Sequence, residues 1–132
     1  MDRDKIIDWG LRIVAAAILL QTLPYKFTGH PSSVALFTEL GVEPFGRIGL
    51  GVVELITAIL LLVPGTVRYG IVLGIGLMVG ALASHVFVIG INFMNDGGAL
   101  FMLAVATMAC CLVLAYRHRS EVLGLVPGLK MA

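Results

Sequence analysis

Phe45-Gly46-Arg47-Ile48-Gly49-Leu50-Gly51-Val52-Val53-Glu54-Leu55-Ile56-Thr57-Ala58-Ile59-Leu60-Leu61-Leu62-Val63 is the stretch that decides the fold. A helix needs about 20 largely apolar residues, at about 1.5 Å each, to cross the hydrocarbon core of a bilayer, and this run nearly supplies them. In its middle stands Glu54. A carboxylate at that depth is costly and needs a partner, a proton or a water-filled cavity.

Working outward, three more apolar segments of similar length appear, so the chain divides into spans at about residues 6–25, 45–63, 67–91 and 98–116. Hydrophobic residues make up 59% of the chain and charged residues 13%, with a mean hydropathy of +1.03, which excludes an ordinary soluble domain. The net charge of +1 and the absence of a basic, aromatic-studded patch argue against a nucleic-acid partner. The expected class is an all-α membrane protein: one antiparallel bundle of four transmembrane helices over residues 1–132, in contact with membrane lipids.

The connections support that topology. Pro64-Gly65-Thr66 and Asn95-Asp96-Gly97-Gly98 are compact breaks that make neighbouring helices antiparallel, and Asp96 is placed to cap the last span. Only the first connection is long. Within it, residues 31–40 run from a proline suited to a helix start to the glycine at position 41, with Val34, Phe37 and Leu40 on one stripe, so a short interfacial helix is expected over the bundle mouth. With both termini cytoplasmic, Arg3, Lys5, Arg12, Arg68, Arg117, Arg119 and Lys130 fall on the cytoplasmic side, against Lys26 and Arg47 opposite. Arg12, near the end of its span, is expected to snorkel to the headgroups. The four-residue spacings Gly70/Gly74 and Gly76/Gly80 are expected to bring helices close together within the monomer.

Depth then selects a polar set. Glu54 lies nine residues below Phe45, about 13 Å, and His85 lies six below Ile91, about 9 Å. Gln21 is one turn below Lys26. The segments alternate in direction, yet these side chains meet in one half of the bilayer. Glu54, His85, Gln21 and Lys26 are therefore the candidate pocket or proton-exchange residues, with His85 the expected partner of Glu54. Arg47, Asn92 and Asp96 are candidates for its entrance. A carboxylate beside an imidazole suits a proton relay or substrate anchor; it equally suits a polar lock between two helices.

Cys110 and Cys111 are adjacent, so they form no C-x-x-C motif and read as small apolar residues. The histidines are too dispersed for a shared metal or haem site, and no intrinsic metal or haem is expected.

Arg12, the helix end Pro24-Tyr25-Lys26-Phe27, the loop end Leu40-Gly41-Val42-Glu43-Pro44, the core Gly51-Val52-Val53-Glu54-Leu55 with its Leu60-Leu61-Leu62 tail, and the deep His85 together resemble the DoxX family of small four-helix membrane proteins. The resemblance covers nearly the whole chain. It implies a bacterial cytoplasmic (inner) membrane location and assigns Lys26, Glu54 and His85 to positions that family uses. It also implies a membrane subunit linked to quinone or thiol redox chemistry, with a quinone or other small apolar ligand and redox-complex protein subunits as partners. A small-molecule carrier and a purely structural or assembly subunit are the alternative functions; the nearly unbroken apolar runs toward the cytoplasmic side weigh against a carrier.

Overall fold

The computed structural model describes residues 2–125; Lys130, assigned above to the cytoplasmic side, lies outside them. Its elements in chain order are α1 (Arg3–Gln21), α2 (Leu23–Thr28), α3 (Pro31–Glu39), α4 (Phe45–Leu62), α5 (Val67–Ser84), α6 (Ala99–Arg117) and α7 (Arg119–Leu123). A 3-10 turn, Pro64–Thr66, joins α4 to α5, and a π-helical turn, His85–Ile89, extends α5. Four stretches, Arg3–Thr28, Phe45–Leu62, Pro64–Ile89 and Ala99–Arg117, are long and apolar enough to cross a membrane. The protein is a multi-pass membrane protein with a short extra helix, α3, between its first two spans.

The four long helices form a closed ring in which α1 and α5 each pack against α4 and α6. The start of α1 and the short α7 lie at one end of the bundle, called here the terminal end, and α3 lies at the other, the distal end. The terminal half is close-packed: Ala15, Ala16, Ala58, Leu61, Ile71 and Leu114 are all essentially inaccessible. Small residues make this possible. A Cβ on Gly70 would stand 2.8 Å from the Leu61 backbone nitrogen, and one on Gly74 would stand 2.7 Å from Cys111 Sγ. At those two positions α5 approaches its neighbours as the sequence spacing led us to expect. At Gly76 and Gly80 it does not: a Cβ on either meets nothing within 4 Å.

Two spans depart from straight helices. The first breaks at Thr22, because Pro24 has no N–H for the helical ladder and its ring crowds the preceding turn. The chain resumes as α2, which ends at Gly29 in the left-handed region (φ +71) before turning into α3. The third span leaves α geometry at His85 and terminates at Gly90 (φ +83), just short of the expected end at residue 91.

Arg12 corrects the expectation of snorkelling. Its side chain is buried inside the bundle; Nε donates to the Leu61 carbonyl at 2.6 Å, and the guanidinium lies over the Trp9 ring at 3.7 Å. The physical reason is that α1 begins at Arg3, so Arg12 is more than two turns inside it, level with the last turn of α4. Carbonyls there have no intrahelical donor. Arg12 supplies one for Leu61, as Thr66 Oγ1 does for Leu60 at 3.0 Å.

Candidate functional site

Glu54 sits on the buried face of α4 with its side chain 7% exposed. Its partner is Lys26, not His85: Lys26 Nζ stands 3.0 Å from Glu54 Oε1. Thr22 Oγ1 completes the group, 3.0 Å from Lys26 Nζ and 3.4 Å from Glu54 Oε2. The four-residue spacing from Thr22 to Lys26 explains the arrangement. Thr22 stays in the right-handed helical region and the Lys26 N–H donates to its carbonyl at 3.2 Å, so Lys26 continues the Thr22 face one turn on, where α2 packs against α4. Lys26 then holds α4 twice, since its backbone carbonyl also accepts from Arg47 Nη1. Gly51 gives the close approach, as a Cβ there would stand 2.9 Å from the Phe27 ring.

His85 is buried, and its Nδ1 lies 3.0 Å from the Gly90 carbonyl oxygen. A carbonyl can only accept, so Nδ1 carries the hydrogen and Nε2 is the ring atom left for other partners. The ring meets Phe101 edge-on at 5.7 Å between centroids. His85 thus opens the π turn while fastening that turn's end, the kind of local departure from α geometry that recurs at functional positions.

These groups border one cavity of about 890 Å³ in the distal half of the bundle. Gln21, Lys26, Glu54 and His85 all line it, joined by Thr22 and Ser84. Most of the remaining wall is aliphatic, drawn from α4, α5 and α6, and α3 covers it with Leu36 and the buried Phe37, followed by Leu40 just past the helix end. Such a space, mostly apolar with a few convergent polar groups, has the character of a small-molecule site. Although Lys26 is close, Glu54 Oε1 receives no hydrogen bond of good geometry, so its contact with the ammonium is ionic and off-line.

Arg47, Asn92 and Asp96 are not part of the cavity lining. Arg47 Nε lies 2.9 and 3.0 Å from the two Glu43 carboxylate oxygens, one turn away. Asn92 accepts from the Gly97 N–H at 2.7 Å, and Asp96 accepts from Gly98 and Leu100 at 2.8 and 3.2 Å, capping α6. All three fasten loops around the site. Thr22 is the residue that sequence reasoning missed; its spacing of four from Lys26 was the available signal.

A second polar cluster closes the terminal end. Asp8 faces His118 Nε2 at 2.6 Å, Arg12 Nη1 at 3.4 Å and Arg117 Nε at 3.5 Å. His118 Nδ1 lies 3.1 Å from Glu121, and Arg117 donates to the Asp4 carbonyl at 2.6 Å. Among the described residues no group of three or more His, Cys, Asp or Glu side chains is placed to hold a metal ion.

No protein-family model, curated protein or solved structure matches the chain.

Proposed function

We propose that the protein is a DoxX-like membrane subunit of a quinone- or thiol-linked redox system, in the bacterial cytoplasmic membrane with both termini cytoplasmic, and that its distal cavity binds a small apolar redox substrate. The observation that carries this reading is the Lys26–Glu54 pair at the polar part of a cavity of about 890 Å³ whose walls are otherwise largely apolar. A pair that served only to join α2 and α4 would not need that space.

The residues fit a quinone. Lys26 donates toward a ring carbonyl oxygen, Glu54 exchanges a proton with the reduced form, and His85 Nε2 and Gln21 offer further polar contacts along the wall. Reduction to the hydroquinone takes two electrons and two protons. The electrons come from a partner redox subunit or a thiol donor, and Glu54 stands where protons are needed. A carrier would require passage through the terminal half, where Leu61, Ile71 and Leu114 are packed without accessible surface.

Titrating purified wild-type protein and Glu54→Gln with a short-tailed benzoquinone tests the reading. Weaker binding by the variant is expected. Equal affinity in the two proteins would count strongly against a quinone site built on Glu54.

A further inference from the structure

Helices α4 and α5 run antiparallel in a register that sets Leu61 beside Gly70 and Thr57 beside Gly74. Continued by one turn, the same register puts Glu54 level with Leu77, between Gly76 and Gly80. Both glycines border the cavity, both are exposed, and a Cβ on either enters open space. Across from them Leu50 of α4 is 37% exposed, and nearer the bundle middle Val72 and Leu73 of α5 are 44% and 37% exposed; all three also line the cavity. In a membrane-spanning bundle such surfaces face acyl chains. The cavity is therefore open sideways to the bilayer, between α4 and α5 and beneath α3.

Its shape and charge restrict the occupant. From Val72 to Ser84 the lining follows α5 over twelve residue rises, about 18 Å of helix axis, longer than a lone ring-sized head requires. Along α5 the stretch Val72, Leu73, Gly76 and Leu77 carries no polar side chain, whereas Ser84 and His85 lie toward the distal end. Lys26 and Glu54 balance each other, so an anionic head would leave one negative charge uncompensated in a poorly solvated place.

We propose that the site takes a long-chain membrane amphiphile with an uncharged, hydrogen-bonding head. It enters from the bilayer between α4 and α5, sets its head at Lys26 and Glu54, and lays its hydrocarbon tail across Gly76 and Gly80 toward Val72 and Leu73. The identity of the head as a redox ring rests on the proposed function; the tail groove does not.

Gly76→Leu and Gly80→Leu extend into the groove from positions where a Cβ meets nothing within 4 Å. Gly49→Leu, at an exposed glycine of α4 outside the cavity, controls for a bulky residue on the lipid-facing surface. Thermal unfolding first establishes that each variant is folded. Binding is then measured in nanodiscs with a tail-less tetramethyl benzoquinone and a long-tailed polyprenyl benzoquinone. The groove variants are expected to weaken the long-tailed probe by roughly tenfold or more through steric exclusion, while changing the tail-less one by less than about twofold. Gly49→Leu is expected to change neither. Unaltered long-tailed binding in both groove variants, or equal loss of the two probes, would overturn the groove.

If wild type binds neither quinone, the redox assignment fails and a long-chain alcohol becomes the probe. Its loss on filling the groove would uphold the proposal, and its failure to bind wild type would end it. Recovery of an anionic phospholipid that Gly76→Leu displaces would overturn the uncharged head.

Discussion

The two ends of this bundle each bury charged side chains inside a membrane-spanning protein, and they use them differently. At the terminal end Asp8 gathers His118, Arg12 and Arg117, and Arg12 and Arg117 reach on to backbone carbonyls of other segments. The resulting network ties α1 to α4, α6 and the start of α7. At the distal end Lys26, Glu54 and Thr22 form a smaller group, and beside it lies a cavity of about 890 Å³. Buried charge alone does not distinguish a fastener from a site. What surrounds it does: carbonyls, opposing charges and a smaller hollow of about 490 Å³ lined largely by charged side chains at one end, a larger and mostly apolar cavity at the other.

The contrast breaks first at Arg12. Arg12→Leu would leave the Leu61 carbonyl without its donor and remove a cation from Asp8, with an expected loss of about 3–5 kcal/mol in equilibrium unfolding in mixed micelles. A loss below about 1 kcal/mol would mean that the terminal network does not fasten the bundle. Next comes the tight end of the α4–α5 seam, where Gly70→Ala presses a methyl group onto the Leu61 backbone and is expected to cost about 1–3 kcal/mol. Glu54→Gln keeps the shape and leaves Lys26 with Thr22, so its expected effect on unfolding is about 1–2 kcal/mol. Smallest is Gly76→Ala, six residues from Gly70 in the same helix, expected within about 0.5 kcal/mol of wild type. Similar losses for the two glycine variants would show that the seam is closed along its whole length.

Hydropathy alone exposed the four spans, because crossing a bilayer imposes a length and a composition on each. Depth counting likewise picked out Glu54, His85, Gln21 and Lys26, since rise per residue is nearly constant along a helix. Partner identity was less legible. Lys26 reaches Glu54 from one turn beyond Thr22, on a short helix packed against α4, and hydropathy does not show that packing. His85 was expected to take that place, but the π turn brings the Gly90 carbonyl to its ring. Arg12 was misread for a related reason. Its nearness to the chain start suggested the headgroups, while the unsatisfied carbonyl at the end of α4 that draws it inward belongs to a segment 49 residues away. Glycine spacing was equally blind to side: Gly70 and Gly74 face packed neighbours, whereas Gly76 and Gly80 face open space.

The most direct test replaces both charges at once. Lys26→Met with Glu54→Leu removes the pair without stranding either partner, a change that buried ion pairs commonly tolerate with little loss of stability. Binding of a short-tailed benzoquinone by this folded double variant is the deciding measurement. If the pair is the polar part of a ligand site, the protein unfolds much as wild type does and its affinity falls by roughly tenfold or more. Wild-type affinity in the folded double variant would contradict that role.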